Sequence, residues 1–143
     1  MQMGRLHASA SSQSLDSLVD SQNLENALRA AEFILNDDIE GAEKSLADGN
    51  SSFHKLAKGV ICFLQAALGF EQDVMREASA QLADAETSAA NDQYRSEHET
   101  RGFHSEIYDK GSEFALCHAQ ALILCAVVGV LNESLTESIR GLY

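Results

Sequence analysis

The chain of 143 residues contains no proline and no tryptophan, and only 6% of its residues are aromatic. Sandwiches and barrels need many turns, which proline often provides, so these absences argue against an all-β fold. Basic residues are also scarce, because 10 Lys and Arg stand against 22 Asp and Glu, a net charge of −12. This charge repels phosphate backbones and anionic lipids, so we expect no nucleic-acid partner and at most peripheral membrane contact.

Three cysteines, Cys62, Cys117 and Cys125, are too few for a disulfide scaffold. The N-terminus lacks the continuous apolar run of a secretory signal. We therefore expect reduced thiols and a cytoplasmic location. The last residues, 138–143, stop inside an amphipathic pattern, so we expect the chain to be part of a longer protein.

The 45% of apolar residues is enough for a buried core, and these residues recur at helical spacing. The apolar residues predicted for a first helix are Leu24, Leu28, Ala31 and Leu35, with Ala27, Ala30 and Phe33 beside them. Asp38 and the pair 51–52 are typical N-caps, so they mark the starts of the second and third helices.

We predict two parts in the chain. Residues 1–21 form a flexible N-terminal segment, and residues 22–143 form a helical-repeat domain with an acidic loop near 90–110. Residues 114–131 are apolar almost all round and carry no charge, which predicts a central helix buried on all sides. A membrane-spanning helix is the alternative, and the lack of flanking basic clusters favours the buried helix. A turn at 132–134 would then start a sixth helix.

Small residues recur where two helices of a hairpin would cross. Ala42 and Ala78 lie 36 positions apart, close to the ~34-residue period of tetratricopeptide repeats, and Ser138 follows after an insertion. Each has a small residue in the helix upstream of it, at Ala30, Ala66 and Ala126 respectively. The sequence therefore predicts an all-α fold of antiparallel helix hairpins, stacked as a tetratricopeptide-like right-handed superhelix.

Residues 28–42, LRAAEFILNDDIEGA, resemble the opening repeat of the tetratricopeptide-repeat protein 39 and fungal inclusion-body-clearance family. Residues 119–126, AQALILCA, with the polar turn at 132–134 and the segment 138–141, are similar to the Ala-rich buried helix that marks this family. The resemblance implies the N-terminal part of a large helical-repeat protein with no catalytic residues and no cofactor. It also implies a role in clearing protein inclusions after folding stress, with lipid-droplet proteins as partners. The implied locations are the cytoplasm, the nucleus and the mitochondrial outer membrane.

Candidate metal and catalytic motifs fail on spacing. His98-Glu99 would need a second histidine at position 102 to form a helical zinc motif, but that position is glycine. Cys117 and His118 are adjacent on a helix and point about 100° apart, so they cannot act as a nucleophile and base pair. We therefore expect no enzyme activity and no metal.

The favoured function is a non-enzymatic interaction scaffold. Such scaffolds bind other proteins on a concave surface built from the first helix of each pair. The candidate binding residues on that surface are Asn26, Arg29, Lys55 and Lys58. The alternative is a lipid- or sterol-associated carrier in which helix 114–131 lines an apolar cavity.

The C-terminal end predicts self-association. One short last helix cannot cover an all-round apolar helix, so an apolar patch stays exposed and favours a homodimer. The residues predicted to form this face are Leu124, Val128, Leu135, Ile139 and Leu142.

Overall fold

The computed structural model describes residues 3–99 and 106–142, and within these ranges it has five α-helices and no strand. The helices are α1 (Met3–Leu35), α2 (Ile39–Leu46), α3 (Ser52–Gly69), α4 (Gln72–His98) and α5 (Ser112–Gly141). The predicted all-α class of helix hairpins is confirmed.

Helices pack against their near neighbours along the chain. Helix α1 contacts α2 and α3, α2 contacts α3, and both α3 and α4 contact α5 as well as each other. No other pair of helices brings its backbones this close in the described part of the chain. This is the pattern of stacked hairpins, with α1/α2 and α3/α4 as two pairs and α5 as the first helix after them.

The predicted helix starts at Asp38 and Ser51 are confirmed. The Asp38 carboxylate accepts a hydrogen bond of 2.9 Å from the backbone N–H of Gly41. The Ser51 hydroxyl accepts one of 3.3 Å from the N–H of His54. Each bond satisfies a backbone donor that a helix N-terminus leaves without an internal partner.

Small residues lie at two of the three predicted helix crossings. Ala30, Ala42, Ala66 and Ala78 have no solvent exposure, so the first two hairpins pack as predicted. The third prediction is wrong, because α5 runs unbroken through 132–138 and leaves Ala126 and Ser138 exposed. Hydroxyls of Thr136 and Ser138 donate to the carbonyls four residues earlier, so the polar residues there fit within the helix instead of ending it.

The central helix of the molecule is α3, and the prediction that residues 114–131 are buried on all sides is wrong. Helix α3 contacts each of the other four helices. Only 22% of the most apolar window of α5 is buried. Its inner face packs against α3 and α4 through residues such as Cys117 and Val128, while its outer face is exposed.

The apolar stripe of α1 also lies differently from its sequence pattern. Leu24, Leu28, Ala31 and Leu35 are exposed, whereas α1 packs on its neighbours through smaller and aromatic residues. The residues of α1 in these packing clusters are Ala27, Ala30, Phe33 and Ile34. Alanine permits close approach of α2 and α3, and this approach is what selects the buried face.

Two boundaries differ from the predicted ones. Helix α1 begins at Met3, so residues 3–21, predicted as a flexible segment, are helical and continuous with the rest of α1. Helix α4 continues to His98, so the first nine residues of the predicted acidic loop near 90–110 are helical too. The division of the chain into two parts at residue 21 stays a prediction.

Candidate functional site

The structure separates the four predicted binding residues into two places. Lys55 and Lys58 of α3 line a groove between α2, α3 and α4. Asn26 and Arg29 lie on α1, outside that groove, where Asn26 accepts a hydrogen bond from Gln22 and Arg29 pairs with Glu25 at 3.5 Å. The binding role of all four residues stays a prediction.

The groove has a volume of about 420 Å³, which is within the range of small-molecule and side-chain pockets. Helix α3 forms its floor, and α2 and α4 form its walls. The lining side chains are Glu43, Asn50, Lys55, Lys58, Ile61, Cys62, Gln65, Glu77, Gln81 and Asp84. Lys55 contacts Asp84 of α4, and Lys58 contacts the turn between α2 and α3.

Polar contacts hold the groove side chains in place. The Lys55 ammonium lies 3.2 Å from the Asp84 carboxylate. The Lys58 ammonium donates a bond of 2.8 Å to the backbone carbonyl of Gly49. The Gln65 amide donates to the Glu43 carboxylate at 3.0 Å. The groove therefore offers both signs of charge on neighbouring side chains.

The groove-wall residues of α4 were not predicted as binding residues, although the sequence shows their helical spacing. Glu77, Gln81 and Asp84 recur at helical spacing on α4, which places them on one polar face. The pairing of this face with Lys55 could not be read from the chain, because 29 residues separate Lys55 from Asp84 and only the α3–α4 crossing brings them together.

The cysteines are poor nucleophiles in this environment. Burial raises the pKa of the Cys62 thiol at the groove floor, and nearby Glu77 and Glu43 raise it further. Burial, with a smaller contribution from Asp92, raises the pKa of the Cys117 thiol to about 11. Since the thiolate is the reactive form, both side chains act as small core residues at neutral pH.

Cys117 and His118 point to different helices, as predicted from their adjacent positions. The Cys117 thiol donates to the Ser52 carbonyl of α3 at 3.6 Å. A ring nitrogen of His118 lies 2.9 Å from the Glu86 carboxylate of α4. The two side chains tie α5 to two different helices and form no catalytic pair.

A polar cluster lies between α3 and α4 beside these contacts. The buried Ser52 hydroxyl donates a short hydrogen bond to the Asp92 carboxylate, which also pairs with Arg95 at 2.8 Å. Burial raises the pKa of Asp20 in α1, and the negative charge of Asp92 adds to this effect although Arg95 opposes it. Ser52, Asp92 and Arg95 are thus bonded to one another within the fold, which indicates a structural role.

The metal-motif histidine His98 is engaged locally. A ring nitrogen of His98 lies 2.8 Å from the Tyr94 carbonyl, and the two rings stack with their centroids 4.0 Å apart. His104, the other histidine near this motif, lies outside the described residues. In the ranges 3–99 and 106–142, no group of three or more His, Cys, Asp or Glu side chains is arranged to hold a metal ion.

The predicted self-association face is not a single exposed surface. Val128 is only 1% exposed, and Leu124 is half-buried, because both pack on the core between α3 and α4. Leu135 is half-buried, whereas Ile139 and Leu142 are exposed. The placement of Leu124 and Val128 on an exposed face is thus wrong, and self-association itself stays a prediction.

Helix α5 is long and apolar enough to cross a membrane by length and composition, with a mean hydropathy of 2.2 in its most apolar window. Core helices can meet the same criterion. Helix α5 does not line the groove described above, so this groove is not the apolar cavity that a lipid carrier would need. The carrier alternative stays a prediction.

Comparison with known proteins gives a consistent result. The family model of Iml2/Tetratricopeptide repeat protein 39 matches residues 28–143. A protein of Aspergillus niger named inclusion body clearance protein iml2 is 60% identical over 137 residues, which is 94% of this chain and 20% of that protein. The protein of the same name from Aspergillus fumigatus is 58% identical over 139 residues, which is 95% of this chain and 19% of that protein.

More distant relatives match as well. The Kluyveromyces lactis protein named inclusion body clearance protein IML2 is 34% identical over 132 residues, which is 88% of this chain and 18% of that protein. The chain thus spans about a fifth of the length of the curated relatives it matches. No solved structure matches it. Because the family model covers most of the chain and its helices stack as hairpins, the chain belongs to the Iml2/Tetratricopeptide repeat protein 39 family.

Proposed function

We propose that this chain is part of a non-enzymatic helical-repeat scaffold that binds other proteins and takes part in clearing protein inclusions after folding stress. The observation that carries the proposal is the neighbour-to-neighbour packing of α1 to α5. Repeat arrays of this kind use the surfaces along their stacked helices for binding. The relatives' printed name, inclusion body clearance protein, supports the process in which such binding takes part.

The groove between α2, α3 and α4 is the binding surface in this proposal. Lys58 donates to a neutral backbone carbonyl and so keeps its charge available for a partner carboxylate. Glu43 and Glu77 on the walls can accept from a partner's basic or amide groups. A protein segment that carries both an acidic and a basic side chain therefore fits this lining.

The absence of enzyme activity is also part of the proposal. It is supported by the protonated thiols of Cys62 and Cys117 and by the engagement of His118 with Glu86. General acid–base or nucleophilic catalysis needs an activated group with a base or acid in reach, and these side chains are held in structural contacts instead.

Location and the identity of the partner form the last part of the proposal. The sequence resemblance supports a protein of the cytoplasm and nucleus that also reaches the surface of the mitochondrial outer membrane. It likewise supports lipid-droplet proteins as partners. A fluorescent fusion of the full-length protein, imaged beside markers of these compartments before and after heat stress, tests this part separately.

The test of function uses cells that carry the full-length protein. A fluorescent aggregation-prone reporter is driven into inclusions by heat, and the time to their disappearance is measured. Replacing the groove lysines together, Lys55→Glu and Lys58→Glu, should slow clearance several-fold, because the reversed charges repel the partner's carboxylate. Lys44→Glu on the exposed surface of α2, outside the groove, should leave the clearance time unchanged.

Two outcomes would contradict different parts of the proposal. An unchanged clearance time in cells that lack the whole protein would show that the protein takes no part in clearing inclusions. Slow clearance in those cells, but normal clearance with the double lysine variant, would show that the groove is not the binding surface. The purified double variant should have a thermal unfolding midpoint close to that of the unsubstituted chain, which shows that slow clearance does not come from lost folding. Lys58→Gln provides a second, milder variant.

A further inference from the structure

The groove between α2, α3 and α4 separates positive from negative charge along the axis of α3. On its floor, Lys55, Lys58, Cys62 and Gln65 are separated by three, four and three positions, so they follow one face of the helix. The two lysines lie at the end nearer the N-terminus of α3. Glu43 of α2 lies at the opposite end, because its carboxylate accepts a hydrogen bond of 3.0 Å from the Gln65 amide.

The Gln65 end of the groove is negative. Glu43 accepts from the Gln65 amide, and Glu77 accepts a hydrogen bond of 3.1 Å from the Gln81 amide, so both carboxylates have neutral partners. Within residues 3–99 and 106–142, neither carboxylate pairs with a lysine, arginine or histidine. Burial raises the pKa of the Cys62 thiol, and the charges of Glu77 and Glu43 raise it further. The two carboxylates therefore act on the same part of the floor from opposite walls.

The lysine end of the groove keeps a positive charge. Asp84 neutralises Lys55, because its carboxylate lies 3.2 Å from the Lys55 ammonium. The Lys58 ammonium instead donates to the backbone carbonyl of Gly49, which carries no net charge. The groove therefore presents the cation of Lys58 at one end and two carboxylates at the other.

The distance between the two ends fits two residues of an extended chain. Lys58 precedes Cys62 by four positions and Gln65 by seven, which is about 6 Å and about 10 Å along the axis of a helix. In an extended segment, side chains two positions apart point to the same side and lie about 6.6 Å apart, whereas adjacent side chains point to opposite sides. Side chains four positions apart are separated by about 13 Å, which exceeds the length of the floor between the two ends.

The volume of the groove favours an extended segment over a helix. One helical turn is about 5.4 Å long and about 10 Å across, so it fills roughly 420 Å³. The groove has a volume of about 420 Å³ and would hold only that single turn. Isolated helices shorter than about 12 residues are marginal in water, so one seated turn would not keep a partner helical.

The groove lies apart from the surface on which later repeats stack. Each repeat of such an array contacts only its neighbours. Helix α5 contributes no side chain to the groove lining among the described residues. Helices that follow α5 along the array stack on α5, so they leave the groove open.

We propose that the groove binds an extended protein segment in which an arginine and an acidic residue are two positions apart. The acidic side chain accepts from the Lys58 ammonium, and the arginine guanidinium donates to Glu43 and Glu77. Arginine fits better than lysine because its planar guanidinium has five donors for two carboxylates that approach from opposite walls. This inference rests on the proposed function, which needs the groove to bind a protein, and it specifies the kind of segment that is bound.

NMR titration of the isotope-labelled chain with short synthetic peptides tests the proposal. The peptides share one composition, with serine and glycine around one glutamate and one arginine, and are acetylated and amidated to remove their terminal charges. A peptide with Glu-Ser-Arg or Arg-Ser-Glu at its centre should shift the amide signals of α3 at 58–65 and saturate by about 5 mM, as expected for a weak, short ligand. A peptide with adjacent Glu-Arg should bind about fivefold more weakly, because its two charged side chains point to opposite sides.

Variants of the wall carboxylates test the arginine contact. Glu43→Gln and Glu77→Gln should each weaken binding of the spaced peptide about fivefold, because each removes a charge that faces the arginine. A peptide with glutamine in place of arginine should bind equally to these variants and to the unsubstituted chain. Glu40→Gln is the matched control, because it removes the same charge from an exposed position of α2 outside the groove, and it should leave the affinity unchanged. Thermal unfolding verifies that all three variants fold.

Three outcomes would overturn the inference. The first is the absence of a saturable shift with either spaced peptide up to about 5 mM. The second is equal affinity for spaced and adjacent peptides, and the third is equal affinity for free arginine, which would indicate a small cationic ligand. Slow inclusion clearance with Lys55→Glu and Lys58→Glu would still support the proposed function in each case, so the two failures are distinguishable.

Discussion

His54 is a buried histidine at the start of α3, and its neighbours disfavour the charged form of its ring. It is only 2% exposed, and a ring nitrogen lies 2.7 Å from the Ser51 hydroxyl. Gly49 packs so closely on the ring that a Cβ at this position would lie 1.9 Å from a ring carbon. Burial lowers the pKa of His54 below its ordinary value of 6.5, and the positive charge of Lys58 lowers it further.

This environment predicts a stability that falls at mildly acidic pH. Because the folded-state pKa of His54 lies below the unfolded-state value, the unfolded chain binds the proton more readily. The contribution of His54 is fully present above pH 6.5 and is lost as the pH falls toward the lowered pKa. Urea unfolding at about pH 7.5 and about pH 5.5 should show a lower midpoint at the acidic value.

Other titrating groups also change the urea midpoint between these two pH values. They do so equally in each variant, so their effect cancels when the variants are compared. His54→Gln should unfold at a lower urea concentration at neutral pH but with a smaller difference between the two pH values. His98→Gln, on an exposed histidine, should keep the full difference of the unsubstituted chain. An equal pH difference in the His54 and His98 variants would show that His54 does not carry the effect.

The sequence predicts local chemistry well and distant pairing poorly at the scale of single residues. The caps at Asp38 and Ser51 and the divergence of Cys117 from His118 depend only on helix geometry over a few positions, and they are confirmed. The contact between Lys55 and Asp84 depends on how two helices cross, so helical periodicity could not reveal it.

At the scale of elements, Ala42 tests the packing of the first hairpin. It is fully buried in a cluster with Ala30, Leu46 and Ile61. Ala42→Trp should overpack the crossing of α1 and α2 and destabilise the fold by about 1–3 kcal/mol. This should lower the thermal unfolding midpoint by roughly 3–10 °C for a domain of this size.

Ala31→Trp is the matched control for this prediction. Ala31 lies on the exposed side of α1 in the same hairpin, so the added ring meets no side chain of the core. Its unfolding midpoint should stay close to that of the unsubstituted chain. If Ala42→Trp and Ala31→Trp unfold at the same temperature, the close packing of α1 on α2 is wrong.

The sequence predicts the positions of α2 and α3 correctly, because both an N-cap and small residues at the helix crossing mark them. Predictions that used apolar residues alone were wrong. The leucine stripe of α1, Leu24 to Leu35, is more apolar than the alanines beside it but is exposed, because the alanines allow neighbouring helices to approach. In α5, the Ser and Thr residues after 132 indicate a turn by propensity, yet their hydroxyls bond within the helix.

At the scale of the whole molecule, apolar composition indicated α5 as the central helix, but packing makes α3 central. Helix α3 is less apolar than residues 114–131 and carries Lys55 and Lys58 in its first half. Gly59 allows α4 to approach α3 closely, because a Cβ at this position would lie only 2.7 Å from the side chain of Leu82. The other sides of α3 contact α1, α2 and α5, and these contacts make it the central helix. The composition of a helix shows how apolar it is but not how many helices pack around it. Composition alone therefore cannot distinguish a central helix from an apolar helix with one exposed face.

The order of local stability along the chain follows from this arrangement. Amide hydrogen exchange depends on the free energy of opening each helix, which rises with the number of packed neighbours. Amides of α3 at residues 59–66 should therefore exchange most slowly, those of α5 at 119–127 should be intermediate, and those of α1 at 24–32 should exchange faster than α3. Hydrogen exchange followed by NMR on the unsubstituted chain is the measurement. Slower exchange in α5 than in α3 would mean that the packing around Gly59 contributes less to stability than the contacts on the inner face of α5.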